Sequence, residues 1–384
     1  MAHDVAVVGG GLAGIAAAIA SARAGLRVLH VAPKAPPDRR TSALMLPVVD
    51  YMVSSGLIAD PAEVGTALTQ IRIIDATARL IRAPEALFDS REAGHAAFGW
   101  NFANTALLAR FEAARAGLGN LETVETTLAD LQRTDAGWRL SLGNGGTVEV
   151  PLVVGSDGKK SLVRSLGGFR VRETGFVEAA LVADLELGRP LEGASVEFHY
   201  PRGPFTLVPA GDNRANLVWI DDREVLRAAQ ARGADGLRAV FLEKSQHLFG
   251  DIRLTSPAHL FLLSSLSVDA AGHEGVVLAG EAAHAFPPLG AQGLNLGLRD
   301  VADLSAALAG VDRRTSGWAI RVSEDYSRRR AGDLLRTGTM VDTLFRSLLS
   351  DFLPAQAMRA GGIWALKLIP GLRREAFGLG MGFR

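Results

Sequence analysis

The residues most able to do chemistry lie in three separated segments, the first of which is Gly9-x-Gly11-x-x-Gly14. It follows a short apolar run, Asp4 to Val8, and opens an alanine-rich stretch, Leu12 to Ala24, that reads as a helix stopping at Gly25. In that setting each glycine has a task. The first allows a tight turn, the second lets the backbone approach a pyrophosphate, and the third lets helix and strand pack closely. Unpaired N–H groups and the positive end of the helix dipole then face an anion, so Gly9, Gly11, Leu12, Ala13 and Gly14 form an expected phosphate cradle. Nucleotide sites of this kind place an acid about 20 positions on, where it takes ribose hydroxyls. Here that place falls at Ala32, with His30 and Lys34 as polar neighbours. Either another group binds the ribose or the adenine side is held less tightly.

The second segment, Gly155-Ser156-Asp157-Gly158, closes an apolar strand from Val148 to Val154 and precedes Lys159, Lys160 and Arg164. Standing alone it reads as a strand-to-helix turn with Asp157 as cap. The third segment runs from a strand, Gly275 to Ala279, through Gly280-Glu281-Ala282-Ala283-His284-Ala285-Phe286-Pro287-Pro288-Leu289-Gly290-Ala291-Gln292-Gly293-Leu294-Asn295 and on to Asp300. It is a stiff proline-glycine loop that enters a helix.

Together the three segments resemble the class A flavin monooxygenases, the fold of para-hydroxybenzoate hydroxylase, in which counterparts of all three form the flavin site. Within that group the chain is most similar to the ubiquinone-biosynthesis hydroxylases. The residues that carry this are Asp38-Arg39-Arg40-Thr41-Ser42-Ala43-Leu44, Gly203-Pro204-Phe205-Thr206-Leu207-Val208-Pro209, and Tyr326 with Arg328, Arg329, Arg330 and Asp333. The resemblance covers nearly the whole chain.

It implies FAD as cofactor, with Gly9, Gly11 and Gly14 on the pyrophosphate and Glu281, after Gly280, on the ribityl chain. The family usually has aspartate at this last position; glutamate keeps the charge and adds a methylene. Arg40 matches a flavin-side arginine, with Arg39 as its competitor, and Asn104 a polar phosphate-side residue. Asp157, Pro288, Gly290, Gly293, Leu294 and Asn295 complete the implied site. Backbone N–H groups between Gly290 and Asn295 would lie beside the isoalloxazine, where the helix start favours negative charge on reduced flavin. The implied activity is hydroxylation of an aromatic ring by a C4a-hydroperoxyflavin kept away from water, on a polyprenylated phenol of ubiquinone biosynthesis. No second glycine fingerprint is visible, so the electron donor is NAD(P)H bound transiently or a separate redox protein. Competing readings are another flavoenzyme of the same fold (soluble aromatic hydroxylase, isoprenoid reductase or halogenase) and a non-catalytic FAD-binding scaffold. The halogenase lacks its Trp-x-Trp-x-x-Pro signature here; the scaffold is motivated by Ala32 and Glu281.

No protein nucleophile is required, because the cofactor carries the hard chemistry. Two histidines are candidate acid–base groups. His284 sits in a turn whose first task is packing, and His199 lies on a middle-lobe strand that could face the substrate. Arg328 to Arg330 read as a solvated helix face.

The elements that must position these residues give an α/β chain: a Rossmann-type FAD-binding domain, an inserted mixed or antiparallel-sheet substrate domain, and a helical C-terminus. The expected division is 1–75, 96–170 and 266–310 for the first, 76–95 and 171–265 for the second, and 311–384 for the third. Helical patterns cover Ala43 to Ser55, Asn104 to Ala116, Gly297 to Leu308 and Ser316 to Phe352. Strands are expected at Arg27 to Val31, Ile71 to Ile74 with Ile81, Ala179 to Leu185, Ala194 to Tyr200, Pro204 to Val208 and Ala215 to Ile220. Trp138 to Leu142 and Thr147 to Val154 flank Asn144-Gly145 as a hairpin feeding back into the sheet.

Composition narrows the classes further. The 384 residues carry 41 basic and 41 acidic side chains, so the basic footprint of a nucleic-acid binder is missing and a small-molecule partner is expected, with dioxygen as co-substrate. With 0 cysteines there is no disulfide framework, thiolate nucleophile or cysteine-held metal, and no metal site is expected. Asp4 and the punctuating glycines argue against an export signal, and no run of about 20 apolar residues predicts a membrane span. A cytoplasmic protein is expected, self-association being left open. Met340 to Phe352 and Gly361 to Leu372 suit packing on the FAD domain first, and contact with the inner membrane or a biosynthetic complex second.

Overall fold

The apolar runs VAVV, VLHV, LVVG and VVL have no polar face to offer water, apart from one histidine, and all four are buried strands of a parallel sheet. In the computed structural model, which describes residues 3–34, 36–77, 83–288, 291–349 and 364, they belong to a six-stranded sheet. Its order is β19 (Gly272–His273), β20 (Val276–Leu278), β12 (Leu152–Gly155), β1 (Val5–Val8), β2 (Val28–Val31) and β8 (Leu121–Val124). All neighbours are parallel except β19 and β20. Helix α1 (Leu12–Arg23) packs against α3 (Asn104–Ala116) and α7 (Gln292–Ala309), while α8 (Trp318–Leu349) crosses α7, β19 and β20.

A nine-stranded sheet forms the second lobe. Its main path is β21 (His284–Ala285), β18 (His259–Val268), β13 (Val171–Leu187), β16 (Arg214–Asp222), β15 (Gly203–Pro209), β14 (Ala194–Tyr200), β5 (Gln70–Asp75) and β6 (Ala86–Asp89). Strand β17 (Ile252–Leu254) pairs with β13. Alternation decides which face is covered. Leu181, Phe198, Phe205, Leu207, Leu217 and Trp219 enter a core with Leu226 of α5 (Arg223–Ala231) and Leu237 and Phe241 of α6 (Gly233–Lys244). The intervening residues, among them Thr206, Val208 and Val218, lie on the opposite face.

Two small antiparallel sheets complete the chain: β9 (Leu128–Thr134), β10 (Gly137–Leu142) and β11 (Thr147–Val150), and β3 (Thr41–Met45), β7 (Gly99–Ala103) and β4 (Gly65–Leu68). Several expectations are corrected here. The Asn144-Gly145 hairpin stays in its own three-stranded sheet, because Pro151 breaks the expected strand Thr147 to Val154 and only β12 enters the main sheet. The helical pattern from Ala43 begins as strand: β3 pairs with β7, and α2 (Leu46–Ser54) starts beside Pro47. Residues 70–75 were grouped with the first lobe, yet β5 pairs in parallel with β14 of the second. Ile81 and the C-terminal stretches beyond residue 349, apart from Trp364, lie outside the described residues.

Candidate functional site

Gly9 takes φ of +130°, and a Cβ there would stand 2.2 Å from the Ser156 carbonyl oxygen; at Gly14 it would stand 2.1 Å from the Gly9 oxygen. Both positions admit only glycine. At Gly11, which N-caps α1, an added Cβ meets nothing within 4 Å, so the turn opens onto free space. No side chain caps this helix and no acid occupies its first turn, leaving the N–H groups around Leu12 and Ala13 without side-chain acceptors. The helix start is thus open over Gly11 with uncapped N–H groups, the arrangement that an anion cradle requires. Beneath it, the buried His30 hydrogen-bonds the Gly9 carbonyl through Nε2 at 2.8 Å, and burial holds this imidazole below the ordinary histidine range.

Parallel pairing of β1 with β12 sets Val8 opposite Gly155 and so brings the second segment onto the first. The N–H and Oγ of Ser156 both donate to the Val8 carbonyl, at 2.7 and 2.9 Å. Asp157 is spent locally. It accepts from the Leu162 and Val163 N–H groups and from Ser161 Oγ, ordering the start of the short helix α4 (Leu162–Leu166). Its carboxylate shapes the turn. Arg164, buried, ties this turn to the third segment by donating to the Ala282 carbonyl at 2.9 Å.

That third segment leaves β20, makes a 3-10 turn at Gly280–Ala282 and pairs as β21 with β18. It therefore joins the two large sheets. Gly280, at φ +61°, lies where a Cβ would be 3.2 Å from Ala13 Cβ, and Gly297 of α7 packs against Gly280 in turn. Glu281 is exposed on this turn, beside the α1 start. Pro288 is exposed, Leu294 half-buried, and Gly293 faces open space; Gly290 lies outside the described residues. Asn295 is buried and fully engaged: Oδ1 accepts from the Met45 N–H, while Nδ2 donates to the Ala43 and Ala291 carbonyls. It clasps β3 to the open, uncapped start of α7.

The predicted residues Arg40 and Asn104 meet through a residue whose role the sequence did not disclose. Asp38 accepts from Arg40 Nε and Nη2 at 2.8 and 2.9 Å and from Asn104 Nδ2 at 2.9 Å. Burial raises the Asp38 pKa, but these hydrogen bonds outweigh it and hold the carboxyl below its ordinary value. Asp38 raises the Arg40 pKa, and Glu281 adds to this electrostatically. Arg39 and Arg40 are both exposed, and it is Arg40 whose guanidinium is held by Asp38. Ser42 Oγ donates to Asn104 Oδ1 and completes the cluster.

His284 is brought behind the site. It is 2% exposed, stacks on Phe286, and meets Asp300 Oδ2 through Nε2 at 2.6 Å. The same Asp300 oxygen accepts the Gly280 N–H at 2.8 Å, and Arg330 Nε meets Oδ1 at 2.6 Å. The ring is buried and held by Asp300, so in this structure His284 braces the turn. The same contacts correct the arginine cluster. Arg328 and Arg329 pair with Asp325 at the surface, whereas Arg330, about 100° further round the helix, is wholly buried among Asp300, Asp303 and Asp333. Asp300 and Asp303 on α7, and Arg330 and Asp333 on α8, stand three residues apart, which was the available signal. His199 lies on the face of β14 away from α5 and α6, with Nε2 3.2 Å from Glu197 Oε2. Opposite Glu197 on β15 stands Thr206.

The residues present fit a dinucleotide. An open glycine cradle, an uncapped helix start, an exposed acid and an arginine–asparagine cluster line one path from α1 to α7. A groove of about 660 Å³ lined by Ala20, Arg23, Tyr51 and Leu308 lies at the other end of α1. The helix dipole is negative there, so that groove is not the phosphate site.

A family model described as FAD binding domain matches residues 2–335. The ubiquinone hydroxylase UbiL of Rhodospirillum rubrum is 29% identical, over 97% of this chain and 87% of its own. The 3-demethoxyubiquinol 3-hydroxylase of Escherichia coli is 28% identical, over 99% of this chain and 98% of its own. Among solved structures, p-nitrophenol 4-monooxygenase PnpA from Pseudomonas putida DLL-E4 shares the fold at a TM-score of 0.79, with 19% identity over 99% of this chain and 98% of its own. The expected architecture, a nucleotide-binding domain with an inserted sheet lobe, is the one found.

Proposed function

The chain belongs to the FAD binding domain family, and from that premise we propose that it is an FAD-dependent monooxygenase that hydroxylates the aromatic ring of a polyprenylated phenol in ubiquinone biosynthesis. The observation that carries this reading is the course of the third segment. It passes the glycine cradle at Gly280 and then joins the second sheet as β21, paired with β18, so the backbone that borders the cradle is continuous with the sheet that carries Thr206, Val208 and Val218. The names of the relatives of similar length supply the substrate class.

In this account Gly9, Gly11, Leu12, Ala13 and Gly14 bind the pyrophosphate, Glu281 the ribityl hydroxyls, Arg40 the flavin side and Asn104 the phosphate side. The start of α7, with Gly293 and Leu294, borders the flavin ring; Pro288 closes its edge. Bound there, FAD supplies the electrons and the oxygen activation that the hydroxylation requires. The protein supplies position and dryness. Asn295 and Asp300 hold the backbone that meets the cofactor, and the apolar side chains of Val208 and Val218 exclude water from the ring of the substrate. A phenol attacks more readily as phenolate, and we assign removal of that proton to the Glu197–His199 pair on the same face, whose side chains meet at 3.2 Å.

We assign electron supply to NAD(P)H. We keep the division into an FAD-binding domain, a substrate-binding sheet domain and a helical C-terminal region over 311–384, and the pairing of β5 assigns residues from Gln70 to the sheet domain. Among the described residues no helix is long and apolar enough to cross a membrane. We keep packing on the FAD domain as the first reading of the C-terminal region and contact with the inner-membrane surface, where a prenylated substrate resides, as the second; vesicle flotation of the protein separates them. For the reaction itself, the gene is deleted and quinone precursors are identified by mass spectrometry. Accumulation of a prenylated precursor lacking one ring hydroxyl is expected; an unchanged quinone pool would sink the substrate assignment and leave FAD binding standing.

A further inference from the structure

The acid that this kind of nucleotide site keeps at the end of its second strand is missing, and the neighbouring strand offers a replacement. Ala32 occupies the expected place. Its Cβ lies 3.3 Å from where a Cβ on Gly10 would stand, so this side chain points at the glycine turn and no polar group comes from it. Beside β2 runs β8, parallel and in register, with Val31 opposite Val124. The Ala32 N–H continues this ladder by donating to the Val124 carbonyl at 3.1 Å. The residue that follows β8 is Glu125.

Two features single it out. The Thr126 N–H bonds back to the Val124 carbonyl at 2.9 Å, so Glu125 is the central residue of a tight turn at the sheet's edge. It is exposed and makes no hydrogen bond or ion pair with another described residue. By contrast, Glu122 at the other end of β8 is engaged by His3. Strand order supplies direction. β12 and β20, which carry the other two cofactor segments, lie on one side of β1, and β2 and β8 on the other. The half of the cofactor beyond the pyrophosphate therefore extends over the ends of β2 and β8. Adjacent strands stand about 4.8 Å apart, a gap that a glutamate side chain spans.

We infer that Glu125 binds the adenosine ribose hydroxyls of FAD, one strand over from the place where the acid is missing. This inference depends on the FAD-binding family alone, independent of the substrate proposed above. The test uses full-length apoprotein titrated with FAD, read by flavin fluorescence, with the melting temperature of each apoprotein as control. Glu125→Ala raises the FAD dissociation constant about tenfold, the loss expected for a charge-assisted hydrogen bond at an exposed site, and leaves apoprotein melting unchanged. Adding Ala32→Glu to that variant restores affinity, because this carboxylate returns from β2. Unchanged affinity in Glu125→Ala, or a loss that Ala32→Glu does not restore, overturns the inference. A wild-type chain that fails to bind FAD would instead overturn the cofactor itself.

Discussion

His284 and Asp300 meet at 2.6 Å between Nε2 and Oδ2, both side chains only 1% exposed, and this contact anchors the turn that carries Glu281. Asp300 also takes the Gly280 N–H and faces Arg330. One carboxylate thus fixes both ends of a five-residue turn. Replacing Asp300 by Ala leaves the Gly280 N–H, His284 Nε2 and Arg330 Nε without their acceptor, while Asp303 and Asp333 still pair with Arg330, so a stability loss of about 3 kcal/mol is expected in urea denaturation. A loss below about 1 kcal/mol would show that the brace is incidental.

The buried and exposed arginines of α8 should separate cleanly. Arg330→Met removes the buried cation that Asp300, Asp303 and Asp333 share, and is expected to cost about 3–5 kcal/mol. Arg328→Ala, at the surface, should change stability by less than about 0.5 kcal/mol. Equal effects would contradict the inward orientation of Arg330.

The glycine turn makes a prediction of opposite kinds at two positions. Gly11→Glu places its side chain in open space, so the apoprotein melts normally, yet charge and bulk block the phosphate path and FAD affinity falls at least about a hundredfold. Gly14→Val collides with the Gly9 carbonyl and lowers the melting temperature of the apoprotein itself. Normal FAD affinity in Gly11→Glu would show that the cradle is misplaced.

His30 gives the stability a pH dependence of known sign. Burial depresses its folded pKa, so below the unfolded value of about 6.5 the unfolded chain binds a proton that the folded chain refuses. Its contribution is complete above that pH and is lost as pH falls through the window toward the folded pKa, at up to about 1.4 kcal/mol per pH unit. His30→Gln keeps a donor for the Gly9 carbonyl and removes the titration. Denaturation between neutral and mildly acid pH should therefore show a shallower slope for this variant; equal slopes would mean that His30 titrates normally.

These predictions also mark what the sequence could disclose. Short-range pattern was enough for Asn104 to Ala116 and Ala194 to Tyr200, both observed with those bounds, and for the strand–turn–helix around Gly9. A local period and a glycine spacing report their own neighbourhood. Asp38 escaped notice because its partners, Arg40 and Asn104, are 2 and 66 residues away and only folding joins them. Arg330 was misjudged for a related reason: three successive arginines look solvated until α7 covers one side of the helix. Glu125 depends on the register of β8 against β2, across more than 90 residues of chain, which no window of sequence contains.

The central claim, oxygen insertion into a phenolic ring, is tested most directly by isotope. FAD-loaded protein is reduced with NAD(P)H, mixed with a prenylated phenol under heavy-isotope dioxygen in ordinary water, and the product is weighed by mass spectrometry. The account predicts a new ring hydroxyl carrying the heavy isotope. A hydroxyl of ordinary mass, drawn from water, or dioxygen consumption with no hydroxylated product, would contradict it.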